Sequence, residues 1–140
     1  MSAPLDDIAA YSTWVYSLAE RHPFVNQSTL ALAPVGATLA KLEGHIECPA
    51  GIRVEAWELI DFAVRRIRTY SYEVYRRGEK ICWHDAWEHP EIPALAPTFP
   101  HHKHILPNLR DHRVAAPGIR FDAPNLGIVL EDVRQEWLQS

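Results

Sequence analysis

The chain has 140 residues, of which 47% are hydrophobic and 23% charged, and its formal net charge is −4 at pH 7. This composition excludes a disordered chain and a uniformly basic nucleic-acid coat, and no apolar run reaches the roughly 18 residues of a membrane-spanning helix. The N-terminus lacks the basic and apolar parts of a signal peptide, so we expect a cytoplasmic protein with no membrane contact.

The first segment predicts a helix over residues 4–21. Pro4 and the Asp6–Asp7 pair suit a first helical turn, and His22–Pro23 ends the pattern. The apolar residues that recur on one face of this helix are Ile8, Tyr11, Val15 and Leu18.

The middle of the chain predicts two hairpins. Residues 39–48 alternate between apolar and polar side chains, and a tight turn at residues 49–51 leads into a second strand. Arg77–Gly78 suits the turn of the second hairpin. The predicted strands are residues 52–62, 64–76 and 79–84, with 28–35 as an edge strand.

Beyond Asp85 the chain is rich in proline and predicts an irregular loop through Pro107. Residues 119–121 predict a return to the sheet, and apolar residues at helical spacing from Leu126 to Trp137 predict a C-terminal helix. We therefore expect an α+β fold: an antiparallel β-sheet of four to six strands, an N-terminal and a C-terminal helix, and a Pro/His-rich loop. The expected division is one domain, 1–140, with a helical extension (1–25), the sheet and loop (26–123) and the closing helix (124–140).

The run TFPHHKH at residues 98–104 is the sharpest chemical feature. If the run is extended, His102 and His104 share one face, and the other face carries His101 and Lys103. Two histidines can act as base and acid, and a lysine can neutralise a phosphate, as metal-independent RNA cleavage requires. Asp85 would orient a histidine. The predicted catalytic residues are Asp85, His89, His101, His102, Lys103 and His104.

Two other interpretations of the histidines stay open. They could cap loops and bond to backbone carbonyls, a purely structural role. They could also hold Zn²⁺ or Mn²⁺, with further ligands from His84, Asp85, Glu88 and His89. Because no recognised metal-binding spacing such as H-E-x-x-H is present, we expect no cofactor.

A basic run interleaved with tyrosines precedes this region. Arginines bind phosphates and aromatic rings stack on bases, so the run suits single-stranded RNA. A solvated strand face with cross-strand ion pairs is the structural alternative. The predicted RNA-binding residues are Arg65, Arg66, Arg68, Tyr70, Tyr72, Arg76 and Arg77.

Residues 40–137 resemble the TumE-type toxin family of toxin–antitoxin systems. The shared motifs are Tyr70–Ser71–Tyr72, Asp85 with His89–Pro90, the heptad TFPHHKH, and Leu130–Val133 near the end. The resemblance implies a cognate antitoxin, expected to be a small DNA-binding protein. It does not settle the reaction, and Glu88 stands where the family usually has a histidine.

These features support one main hypothesis and two alternatives. The main hypothesis is an RNA-directed toxin that is a metal-independent endoribonuclease. The alternatives are a non-enzymatic protein-interaction module with structural histidines, and a metal-dependent nuclease. Strand pairing at residues 28–35 or packing of the N-terminal helix would allow a homodimer.

Overall fold

An antiparallel sheet of eight strands dominates the computed structural model, which describes residues 3–86 and 98–138. From β2 onward, each strand pairs with the next one along the chain, and β1 also pairs with β3. The strands are β1 (Gln27–Ser28), β2 (Ala31–Pro34), β3 (Leu39–Glu47), β4 (Ile52–Asp61), β5 (Arg66–Arg76), β6 (Glu79–Ala86), β7 (His101–Ile105) and β8 (Arg113–Ala115).

The two predicted hairpins are confirmed, but the prediction of four to six strands is wrong. The histidine run, predicted as part of a loop, forms β7, which pairs with β6 and with a further short strand, β8. The short strands β1 and β2 pair with the same edge of β3, one on each side of Gly44. This glycine has φ of +142°, and a Cβ there would lie 2.7 Å from the Thr29 carbonyl oxygen. Residues 119–121 form no strand, although Ile67 N–H donates to the Phe121 carbonyl oxygen.

The helices are shorter than predicted, so the expected pair of flanking helices is also wrong. The first segment forms α1 (Ile8–Tyr16) and α2 (Leu18–Arg21), which are separated by Ser17. The Ser17 hydroxyl donates to the Trp14 carbonyl oxygen at 2.7 Å, a local bond that competes with helix continuation. The C-terminal helix is α3 (Leu126–Val133), and Arg134–Leu138 continue it as a π-helical turn. None of the described helices is long and apolar enough to cross a membrane.

The sheet has a covered face and an open face. The covered face packs against α1 and α3 and supplies the sheet's part of the apolar core. One row of cross-strand neighbours on this face consists of Gly44, Ala56, Tyr72, His84, Lys103 and Val114. The adjacent row on the open face consists of His45, Glu55, Glu73, Trp83, His104 and Arg113.

Candidate functional site

Strand β7 divides the histidine run between the two faces of the sheet. All four side chains from His101 to His104 are buried, and successive side chains of a strand point to opposite faces. In the register with β6, Asp85 lies opposite His102, and Trp83 lies opposite His104. The open face therefore carries a carboxylate and two imidazoles at one point.

These three residues, Asp85, His102 and His104, form what we call the open-face centre. Asp85 Oδ1 lies 2.6 Å from His102 Nε2 and 3.4 Å from His104 Nε2. The two Nε2 atoms are 3.0 Å apart. The histidine side chains are almost fully buried, whereas the Asp85 side chain is 34% exposed. One carboxylate oxygen and two imidazole nitrogens therefore converge at a point where only the Asp85 side chain is partly exposed.

Neighbouring groups hold the centre in place. Trp83 Nε1–H donates to Asp85 Oδ2 at 3.1 Å, and its ring stacks on His104 with 3.7 Å between ring centroids. His104 Nδ1–H donates to the Leu109 carbonyl oxygen at 2.6 Å. His102 Nδ1 lies 3.4 Å from the Pro100 carbonyl oxygen. These contacts direct the carboxylate and both Nε2 atoms towards one another.

Burial and nearby charges determine the protonation states of His104 and Asp85 in the open-face centre. Burial lowers the pKa of His104, and this effect outweighs the bond to the Leu109 carbonyl and the charge of Asp85, which raise it; the Arg113 guanidinium adds a smaller lowering. Burial alone would raise the pKa of Asp85, but contacts with His102 and Trp83 outweigh it and bring the pKa below its ordinary value. At neutral pH, His104 is therefore neutral with a lone pair on Nε2, and Asp85 is ionised.

The covered face holds two of the predicted catalytic residues in paired contacts. The Nδ1 atom of His101 lies 2.8 Å from the Tyr70 hydroxyl oxygen, and the two rings stack. Lys103 Nζ donates to Asp132 at 2.6 Å and to Glu136 at 2.7 Å. The predicted set thus separates: Asp85, His102 and His104 meet on the open face, His101 and Lys103 lie on the covered face, and His89 lies outside the described residues.

The predicted RNA-binding residues do not form one surface. Arg65, Arg66 and Arg68 lie at one end of β5, and Arg76 and Arg77 lie at the other. Arg65 pairs with Asp6, and the guanidiniums of Arg66 and Arg76 lie over Phe121 and Trp137. Tyr70 and Tyr72 are buried and stacked on each other, so neither ring is exposed to a base.

Sequence reasoning missed Trp83 and Arg113. Trp83 stands two positions before Asp85 on the same strand, and that spacing alone places both on one face. Arg113 pairs with His104 in the sheet register. Its Nε atom is buried and has no hydrogen-bond partner among the described residues, so a donor next to the centre is left for an acceptor.

Sequence reasoning also missed Glu58. It occupies an apolar position in the alternation of β4 and is fully buried. The hydroxyl groups of Tyr11 and Tyr72 each donate to its carboxylate at 2.5 Å. Burial raises the pKa of Glu58 to about 7, although both hydrogen bonds oppose the shift. Its place on the covered face gives it a structural role.

Comparison with known proteins gives one family. The family model described as Toxin TumE matches residues 15–137, which is most of the chain. No curated protein and no solved structure gives a significant match.

Proposed function

The chain belongs to the TumE toxin family, and we propose that this toxin of a toxin–antitoxin pair cleaves RNA at the open-face centre. Asp85, His102 and His104 would activate the oxygen that attacks a phosphodiester bond. The observation that carries the proposal is the convergence of Asp85 Oδ1 with two imidazole Nε2 atoms. Histidines that only cap loops do not require three such atoms to converge.

The Arg113 guanidinium supports a phosphate-bearing substrate. This residue lies on the same face as His104, and its charge is close enough to lower the pKa of that histidine. Its buried Nε has no hydrogen-bond partner within the described part of the chain. A phosphate oxygen would accept that bond and also satisfy the positive charge. We propose that Arg113, rather than Lys103, contacts the scissile phosphate.

The distance between the imidazoles bears on the mechanism. In metal-independent RNA cleavage, the base and the acid act on opposite sides of the phosphorus atom, at the attacking and the leaving oxygen. The Nε2 atoms of His102 and His104 are 3.0 Å apart and act at one point. This geometry supports the metal-dependent alternative over the metal-independent pair, and we propose that the centre acts on the attacking oxygen.

A toxin of this family has a cognate antitoxin partner. We propose that the antitoxin is a small DNA-binding protein that blocks RNA from the open face. Purified antitoxin should then suppress RNA cleavage by the toxin without unfolding it. Suppression only in living cells, and not with the two purified proteins, would contradict direct blocking.

Induced expression tests the proposed function. The natural chain is compared with Asp85→Asn, His104→Gln and Arg113→Gln, and with His112→Gln as a matched control in an exposed loop. We expect growth arrest and new RNA 5′ ends with the natural chain and the control. The three centre variants should lose both at equal abundance and with cooperative thermal unfolding.

Two other outcomes would contradict the proposal in different ways. Growth arrest without new RNA ends would remove RNA as the substrate. Arrest that persists in folded Asp85→Asn and His104→Gln would remove the open-face centre, and would favour the protein-interaction module with structural histidines.

A further inference from the structure

We propose that Asp85, His102 and His104 bind one divalent transition-metal cation of the zinc class, with a coordination position left open for water. The ligand atoms are Asp85 Oδ1 and the two Nε2 atoms. The binding site itself is independent of the RNA substrate, and only the use of the metal in cleavage rests on the proposed function.

The spacing of the three atoms fits a single ion. Ligands at about 2.0–2.2 Å from a tetrahedral zinc ion are separated from one another by about 3.3 Å. The three separations here are 2.6, 3.0 and 3.4 Å. Each atom would need to move by less than about 1 Å to bind the ion. No change in strand register is required.

The distribution of protons supports a cation at this point. Because a carbonyl oxygen only accepts, His104 must carry its proton on Nδ1, which leaves a lone pair on Nε2. That lone pair faces the Asp85 carboxylate. His102 Nε2 lies 2.6 Å from Asp85 Oδ1 and 3.0 Å from His104 Nε2, so it faces both of these atoms. A cation bound by all three atoms would take the place of the single proton that His102 Nε2 can share between the other two.

The surrounding contacts are those that metal-binding residues commonly have. A metal-binding imidazole usually donates its other N–H to a carbonyl or carboxylate, as His104 does to Leu109. A metal-binding carboxylate is usually hydrogen-bonded in turn, as Asp85 is by Trp83 Nε1–H. The Trp83 ring also fixes the orientation of the His104 ring by stacking on it.

The ligand types select the metal. Two imidazoles and one carboxylate suit Zn²⁺ and its first-row neighbours, whereas Mg²⁺ and Ca²⁺ prefer oxygen ligands. Three protein ligands leave the fourth position that catalytic zinc sites keep for water. His84 does not complete the set, because it lies on the covered face in the row of Lys103. A metal at the centre would lower the pKa of the bound water and supply the attacking oxygen.

Metal titration of the purified full chain, prepared without a histidine tag and stripped with a chelator, tests the site. We expect one equivalent of Zn²⁺ to bind, and one equivalent of Co²⁺ to give the visible absorption of a nitrogen- and oxygen-ligated site. Mg²⁺ at the same concentration should not compete. Asp85→Asn should weaken Zn²⁺ binding at least tenfold, and His104→Gln should weaken it further. His112→Gln serves as the matched control, because its imidazole is exposed and lies outside the centre.

The results separate this inference from the proposed function. No stoichiometric Zn²⁺ or Co²⁺ binding by the folded natural chain overturns the metal site. Equal affinity in the natural chain, Asp85→Asn and His104→Gln overturns it as well, because the metal would then bind elsewhere. Zn²⁺ binding that is weakened in the centre variants, in a protein that cleaves no RNA, would support the metal site. It would contradict RNA as the substrate.

Discussion

The side chains of β7 have different hydrogen-bonding surroundings on the two faces of the sheet. On the covered face, donors meet acceptors: Lys103 lies between Asp132 and Glu136, and the Tyr70 hydroxyl meets His101. On the open face, the Asp85 carboxylate oxygen and His104 Nε2 both face His102 Nε2, which can carry only one proton. The first arrangement is complete within the fold, and the second needs a proton or a cation.

This contrast indicates which buried polar groups stabilise the fold and which carry chemistry. Burial is not the criterion, since His101, His102, Lys103 and His104 are all less than one-tenth exposed. The criterion is how the contacting groups match: donors are paired with acceptors on the covered face, whereas on the open face two acceptor atoms face one imidazole nitrogen. The following predictions test this division, starting with the largest expected effect.

Replacing Lys103 with Met should give the largest loss of stability. The change leaves Asp132 and Glu136 together without their cation, and breaking a partly buried ion pair of this kind costs about 3 kcal/mol. Urea unfolding of the metal-free protein measures it, and Zn²⁺ affinity at the opposite face should not change. Lys41→Met is the control, because Lys41 pairs with Glu43 in solvent and should cost less than about 1 kcal/mol. Equal losses in the two variants would contradict the role of Lys103.

Replacing Glu58 with Gln should change how stability depends on pH. The pKa of Glu58 is about 7 in the fold and 4.5 ordinarily, so the folded state keeps a proton that the unfolded state loses. The stability contributed by this group is full below about pH 4.5 and is lost as pH rises through 7, by about 3 kcal/mol in total. The variant lacks this decline. Because buried histidines also titrate, the measured quantity is the difference in unfolding free energy between variant and natural chain at pH 5 and pH 8. A difference that stays constant would contradict the raised pKa.

Replacing Trp83 with Phe should weaken metal binding about tenfold, because Asp85 loses a hydrogen bond and His104 loses part of its stacking partner. Zn²⁺ titration measures the change. Trp57→Phe is the matched control, since Trp57 lies on the open face between Glu43 and Ser71, on β4, two strands away from Asp85. If both variants bind Zn²⁺ as the natural chain does, Trp83 does not support the centre.

Replacing His101 with Phe should have the smallest effect. The new ring keeps the stacking on Tyr70 and loses one hydrogen bond, for a cost of about 1 kcal/mol. Growth arrest should persist, because His101 lies on the covered face. Tyr70→Phe removes the same hydrogen bond from the other side and should behave alike. Loss of arrest in folded His101→Phe would show that the covered face takes part in the activity.

The sequence predicts the long strands well because their alternation is strong. Apart from Gly44 and Glu58, strands β3 and β4 carry apolar side chains at every second position over nine and ten residues. Alternation also predicts that His102 and His104 share a face if the run is extended. The sequence does not show that the run is extended, because four consecutive buried polar residues have no apolar period and therefore predict a loop.

The partners of the histidines depend on strand register, which the sequence did not reveal. Asp85 and His102 are paired across two strands, and no local pattern sets which residue of β6 faces which residue of β7. The short strands β1, β2 and β8 were missed or merged because two to four residues hold too little alternation. A charge pattern also does not show whether the interleaved tyrosines are exposed, and Tyr70 and Tyr72 are buried.

The most direct test of the open-face centre is a crystal structure of the Zn²⁺-loaded chain, with data collected at the zinc absorption edge. We predict one anomalous peak on the open face, about 2.0–2.2 Å from Asp85 Oδ1 and from the Nε2 atoms of His102 and His104. A zinc-loaded crystal with its peak elsewhere, or with His102 and His104 bonded only to protein groups, would contradict the account.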